Sequence, residues 1–135
     1  MQTMDRQDRV CIVDDDPAVG ELLRLVCESI GLSAYAFETA EDYLAACERD
    51  CLGCAVLLLD VDLPGVSGLE LLKHLRSGGL SCPVLMVSGE SGEEVAERAF
   101  ALGAVDFIAK PFNVGLVQAR IRALLDGPAS VSPHA

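Results

Sequence analysis

The chain has 135 residues with 21 acidic against 10 basic side chains, a formal net charge of −11. Hydrophobic residues make up 51%, enough to bury one core of ordinary domain size, which excludes a disordered acidic tail. The negative balance also excludes non-specific binding to nucleic acid and docking on anionic membranes, since both need Lys and Arg to meet phosphates. The longest uncharged, mostly apolar run, the nine residues 51–59, is about half of the roughly 18 to 20 that a membrane-spanning helix needs. The N-terminus MQTMDRQDR is polar where a secretory signal needs an apolar segment, so the expected location is cytoplasmic.

In chain order, residues 1–8 read as an N-terminal arm and 10–13 as an apolar strand. Asp16, before Pro17, is read as the cap of a helix striped by Val19, Leu22, Leu23, Val26 and Ile30 and ended by Gly31. Residues 33–37 are the second strand. Thr39 then caps a helix with Ala40, Tyr43, Leu44 and Cys47 on one face and Glu41 and Asp42 in its first turn, where the helix dipole favours anions. The continuous apolar run 55–59 is a strand covered on both faces. Ser67 caps a helix carrying Gly68, Leu71, Leu72 and Leu75, stopped by Gly78 and Gly79, and 84–87 is the fourth strand. Ser91 opens a helix with Glu93 and Glu94 in its first turn and Val95, Ala99 and Leu102 inward, closed by Gly103. Residues 105–109 are the fifth strand. The last helix, 113–126, buries Leu116 or Val117, then Ile121, Leu124 and Leu125, and 127–135 read as a linker or frayed tail. Strands alternating with helices in this way mean right-handed βαβ units on a parallel sheet.

Six cysteines stand at 11, 27, 47, 51, 54 and 82. Cys11, Cys27 and Cys82 lie within or beside apolar patterns and read as small hydrophobes. Cys47, Cys51 and Cys54 spell CxxxCxxC, a thiolate-cluster spacing, but the local sequence offers no fourth ligand for zinc and the chain is too short for the enzymes that hold a cluster this way.

In an open parallel sheet the ligand crevice lies beyond the carboxyl ends of the strands. Those ends carry Asp14, Asp15 and Asp16 after the first strand, Asp60 after the third, Ser88 after the fourth and Lys110 after the fifth. Carboxylates gathered in a partly desolvated crevice repel one another and call for a cation, and hard oxygen ligands suit Mg²⁺. A carboxylate beside Mg²⁺ and a lysine can attack a phosphoryl group in line and become an aspartyl phosphate, with Ser88 donating its hydroxyl to a phosphoryl oxygen.

The strings IVDDD at 12–16, LLLDVDLPGVSGLELL at 57–72, VLMVSGES at 84–91 and GAVDFIAKPF at 103–112 together resemble the receiver domain of two-component response regulators. The resemblance covers residues 9–126. It implies a flavodoxin-like (βα)5 three-layer sandwich, with a five-stranded parallel sheet of order 2-1-3-4-5 and helices on both faces. It further implies Asp60 as phospho-acceptor, and Asp14, Asp15, Asp60 and the backbone carbonyl of Asp62 as Mg²⁺ ligands. Lys110 becomes the phosphate-contacting amine, Ser88 and Phe107 the switch residues, and the Lys110–Pro111 bond is expected to be cis. Asp62 and Glu90, two residues after the acceptor and after Ser88, place extra negative charge beside the phosphoryl group and are expected to change its lifetime. The implied partners are a sensor histidine kinase and an output domain or effector protein outside these residues. A phosphorylation-dependent homodimer would use helix 4, strand 5 and helix 5, where Glu93, Glu94, Glu97, Arg98, Arg120 and Arg122 mix signs. The domain would modify itself rather than turn over substrate. GLELL and GAVDFIAKPF look most like receivers that precede a helix-turn-helix DNA-binding domain, so the chain is expected to be a stand-alone receiver or part of such a regulator.

Two other readings compete. LLLDVDLPG also fits the Asp-x-Asp opening of haloacid-dehalogenase phosphatases, but there the nucleophile strand comes first, whereas here Asp14 and Asp15 precede it. A receiver-shaped interaction module that no longer uses phosphorylation would be expected to lack an acid, the acceptor or the lysine, and all are present in this chain.

Overall fold

A computed structural model describes residues 8–50, 53–89 and 93–131. Five strands alternate with five helices: β1 (Arg9–Val13), α1 (Pro17–Glu28), β2 (Ser33–Phe37), α2 (Ala40–Asp50), β3 (Val56–Asp60), α3 (Gly68–Ser77), β4 (Val84–Ser88), α4 (Glu93–Ala101), β5 (Asp106–Ala109) and α5 (Val114–Val131). All strand pairs are parallel, in the order β2-β1-β3-β4-β5. This is the flavodoxin-like arrangement that the resemblance implies.

The period of two in the strands divides the core into two layers. Cys11, Val13, Leu57, Leu59, Val84 and Met86 point to one face, where Ala40 and Tyr43 of α2, Leu69, Leu71 and Leu72 of α3 and Ala99 of α4 cover them. Val10, Ile12, Val56, Leu58, Leu85 and Ile108 point to the other, under Leu23, Val26 and Cys27 of α1 and Val117 and Ile121 of α5. Val117 is therefore the core residue of the first turn of α5, and Leu116 stands exposed. The central strands β1, β3 and β4 are buried nearly throughout, whereas β2 at the sheet edge leaves Tyr35 exposed.

The helix starts follow the sequence. The Asp16 side chain accepts from the Ala18 N–H at 2.9 Å, Thr39 Oγ1 from the Asp42 N–H at 3.0 Å and Ser67 Oγ from the Glu70 N–H at 3.2 Å. Ser91, expected to open α4, lies outside the described residues. Most boundaries fall within one to three residues of expectation, and the largest difference is at α5, which continues through Gly127 and Pro128 to Val131, five residues beyond the expected end at 126. Adding residues to an established helix is cheap, although a proline there both forfeits its own N–H bond and crowds the carbonyl four residues back.

At the amino end of the sheet, Arg76 near the close of α3 donates to three carbonyls. Nη1 reaches Leu80 O at 3.0 Å and Cys82 O at 2.8 Å, and Nη2 reaches Gly103 O at 2.7 Å. One guanidinium thus ties α3 to the strand-leading loop of β4 and to the α4–β5 turn.

Candidate functional site

Strand register builds the site. Val13 pairs with Leu59, Asp60 with Val87 and Ser88 with Ala109, so Asp14, Asp60, Ser88 and Lys110 emerge together at the carboxyl edge. The backbone extends the ladder there: Asp14 N–H donates to Phe37 O at 2.9 Å, Val61 N–H to Val87 O at 3.0 Å and Lys110 N–H to Ser88 O at 2.7 Å. The Lys110–Pro111 peptide is cis, as expected.

The side chains converge. Asp14, Asp60 and Ser88 are the buried polar residues among those described, with relative exposures of 2%, 2% and 0%. Ligand oxygens of Asp14, Asp15 and Asp60 lie within 4.8 Å of one another, with Asp15 exposed at the rim. Lys110 Nζ sits 3.0 Å from Asp14 Oδ2 and 3.3 Å from Asp60 Oδ2, donating a hydrogen bond to the latter. The remaining oxygens are held by the backbone: Asp60 Oδ1 accepts from the Asp62 N–H at 3.1 Å, and Asp14 Oδ1 from the Asp16 N–H at 2.9 Å. Asp62 itself is exposed, and its backbone is pinned at the acceptor by that bond. Phe107 is half-buried on β5 beside Met86, packed against the core layer under α2, α3 and α4.

Burial pushes the Asp60 carboxyl up to about 6, and the Asp14 charge adds to this; the Asp62 N–H and the Lys110 ammonium pull the other way. The group is thus mostly ionised at neutral pH and available as a nucleophile. Burial acts to lower Lys110, but its contacts with Asp14 and Asp60 outweigh burial and hold the ammonium above its ordinary value.

The donor set fits a hard divalent cation. Three carboxylates meet here and two of them, Asp14 and Asp60, share one ammonium, while Asp14 Oδ2, although buried and ion-paired to Lys110, accepts no well-angled hydrogen bond, leaving a lone pair for another ligand. Among the described residues this is the one group of three or more acids, histidines or cysteines close enough to share an ion.

The sequence marks Gly68 only as part of a helix stripe, yet it bounds the site from behind. A Cβ on it would lie 1.9 Å from the Asp60 carbonyl oxygen, and its N–H donates to Val61 O at 2.8 Å. A glycine in the first turn of a helix just after a strand-ending Asp is the signal that could have revealed it. Glu90 and Cys51 lie outside the described residues. On the face expected to form a homodimer, Arg120 is paired with Asp106 of its own chain, which leaves five of the six charged residues to mix signs there.

A five-stranded parallel sheet of this order, with buried acids and a lysine at its carboxyl edge, defines a CheY-like α/β domain. Residues 10–122 match the response regulator receiver domain family, and the chain belongs to it. It is 40% identical over 121 residues to the response regulator protein TodT of Pseudomonas putida, covering 90% of this chain and 52% of TodT. It is also 40% identical over 116 residues to the transcriptional regulatory protein FixJ of Azorhizobium caulinodans, covering 86% of this chain and 54% of FixJ. The chain thus spans about half the length of these relatives. Among solved structures it resembles a CheY-like response regulator receiver domain protein from Methanospirillum hungatei, with a TM-score of 0.82 at 28% identity, covering 91% of this chain and 97% of that one. The receiver domain of NtrX from Brucella abortus gives 0.80 at 28%, covering 87% and 98%. No helix among the described residues is long and apolar enough to cross a membrane.

Proposed function

We propose that this receiver accepts a phosphoryl group from a sensor histidine kinase onto Asp60 in a Mg²⁺-dependent reaction. The modified domain then changes conformation to control a partner or output domain. The observation that carries this reading is the Asp60 carboxyl, buried beside Asp14 and 3.3 Å from the Lys110 ammonium.

Asp14, Asp15 and Asp60, with the Asp62 carbonyl, would hold Mg²⁺, which supplies positive charge against the phosphoryl oxygens. Asp60 Oδ attacks phosphorus as the bond to the donor nitrogen breaks, and the electron pair leaves on the imidazole. The Asp62 N–H orients the nucleophile through Oδ1. The Lys110 ammonium neutralises developing charge. Ser88 donates its hydroxyl to a phosphoryl oxygen, and the half-buried Phe107 follows it inward. The domain turns over no external substrate, its reactions being self-phosphorylation and dephosphorylation. The −11 charge supports a protein rather than a nucleic acid as the partner of these residues, and a location in the cytoplasm suits a kinase-coupled receiver.

Incubation with Mg²⁺ and acetyl phosphate is expected to add one phosphoryl group, about 80 Da, to the intact chain. Asp60→Asn is expected to gain nothing; an equal gain in that variant would move the acceptor elsewhere. Followed over time, the same assay on Asp62→Asn is expected to show a changed rate of dephosphorylation, and equal rates would remove Asp62 from rate control. Dimerisation through α4, β5 and α5 is expected as a shift in sedimentation on adding beryllofluoride; an unchanged profile leaves this face to another partner.

A further inference from the structure

The cysteines take no part in the reaction above, and folding regroups them. Cys54 precedes β3 and Cys82 precedes β4, and their sulfurs lie 3.9 Å apart although 28 residues separate them. Cys54 also lines a cavity of about 350 Å³ between α2 and α3, together with Cys47, Leu44, His74 and Leu75. This cavity lies at the amino end of the sheet, away from the acids. We propose that Cys54 and Cys82 form an oxidisable dithiol, a modification site for a small peroxide or diazene oxidant entering from the α2–α3 cavity, whose product is a Cys54–Cys82 disulfide.

Pairing needs little rearrangement, because parallel pairing of β3 with β4 already holds the two chain segments side by side. With a peroxide, the Cys54 sulfur attacks one oxygen and becomes a sulfenic acid as water leaves. The Cys82 sulfur then attacks that sulfur, the S–O bond breaks, and hydroxide departs with the Cys82 proton as a second water. Two thiols lose two electrons and one peroxide is reduced to two waters; with a diazene, one thiol adds across the N=N bond, the second attacks the bound sulfur, and the nitrogen leaves as a hydrazine carrying both protons. Hydrogen bonding to Cys11 pushes the Cys54 thiol up to about 12, and hydrogen bonding to Cys54 and burial raise Cys82, so the thiolate is scarce at neutral pH. The reaction is therefore slow at neutral pH and is expected to quicken as the pH rises. Spacing along the chain could not reveal this pair.

The test is treatment of the whole chain with diamide or hydrogen peroxide under native conditions, alkylation, digestion and mass spectrometry. The expected result is a peptide pair joined through Cys54 and Cys82. The oxidised chain should melt roughly 10 °C higher than the reduced one, since the link closes a loop of this length in the unfolded state. Cys82→Ala and Cys54→Ala should each abolish the cross-link, whereas Cys27→Ala should retain it. A wild-type map showing another pair, or only singly oxidised thiols, would overturn the proposal, and it depends on no variant folding.

Discussion

Gly68→Ala is expected to lower the stability of the domain by about 3 kcal/mol or more, with a fall in melting temperature of roughly 10 °C. Helix propensity alone argues the other way, since alanine outranks glycine in a helix by up to about 1 kcal/mol. Geometry decides between the two effects. The added carbon would stand 1.9 Å from the carbonyl oxygen of Asp60, 2.8 Å from its carbonyl carbon and 2.9 Å from the Cα of Val61. All three are backbone atoms at the end of a central strand, so no side-chain rotation relieves the overlap, and α3 must withdraw from β3 as a unit. Urea denaturation of both proteins would measure the cost as a drop in midpoint at constant slope. Equal midpoints would mean that α3 already has room to move. Because the clash falls on Asp60 itself, the variant is also expected to accept phosphoryl groups more slowly even where it stays folded.

Asp60→Asn is expected to stabilise the domain by about 2 kcal/mol at neutral pH in the presence of a chelator, although it removes the central side chain of the site. A carboxyl that titrates at about 6 in the folded state, against 3.8 as its ordinary value, makes folding less favourable wherever it must be ionised. Between those two values the folded chain binds more protons than the unfolded one. Stability therefore falls as the pH rises from about 4 to about 6, and the full penalty is present above that. The asparagine amide removes the penalty while Lys110 keeps Asp14 as its partner. Thermal unfolding of the two proteins at several pH values should show the gain at pH 7.5 and its disappearance near pH 4. No gain at pH 7.5 would mean that Lys110 and the Asp62 N–H already offset the cost of burial. Added Mg²⁺ should raise the melting temperature of the wild type more than that of the variant, and an equal rise in both would argue against Asp60 as a ligand of the cation.

Much of this site is legible in the sequence because parallel strands end at one edge, so residues that terminate strands become neighbours whatever their distance along the chain. Asp14, Asp60, Ser88 and Lys110 follow from that rule, and the caps Asp16, Thr39 and Ser67 from side-chain chemistry one turn away. What stays hidden depends on how elements are offset. The approach of Gly68 to the Asp60 carbonyl is set by the position of α3 along β3, which residue type does not encode. The meeting of Cys54 with Cys82 depends on the β3–β4 register at the opposite end of the sheet. The choice of Val117 over Leu116 turns on about 100° of helix rotation, too fine for two adjacent apolar residues to decide.

The three carbonyls gathered by Arg76 make the domain mechanically lopsided. Leu80, Cys82 and Gly103 belong to connections that precede β4 and β5, the strands whose far ends lead to Ser88 and Lys110. Those two strands are clamped where they begin, at the end of the sheet opposite Ser88 and Lys110. Under the proposed function, a displacement started at Asp60 would be turned outward, toward the loops that follow Ser88 and Lys110, instead of being dissipated as sliding of whole strands through the core. The signal of that proposed function would leave the molecule at the pole where it enters.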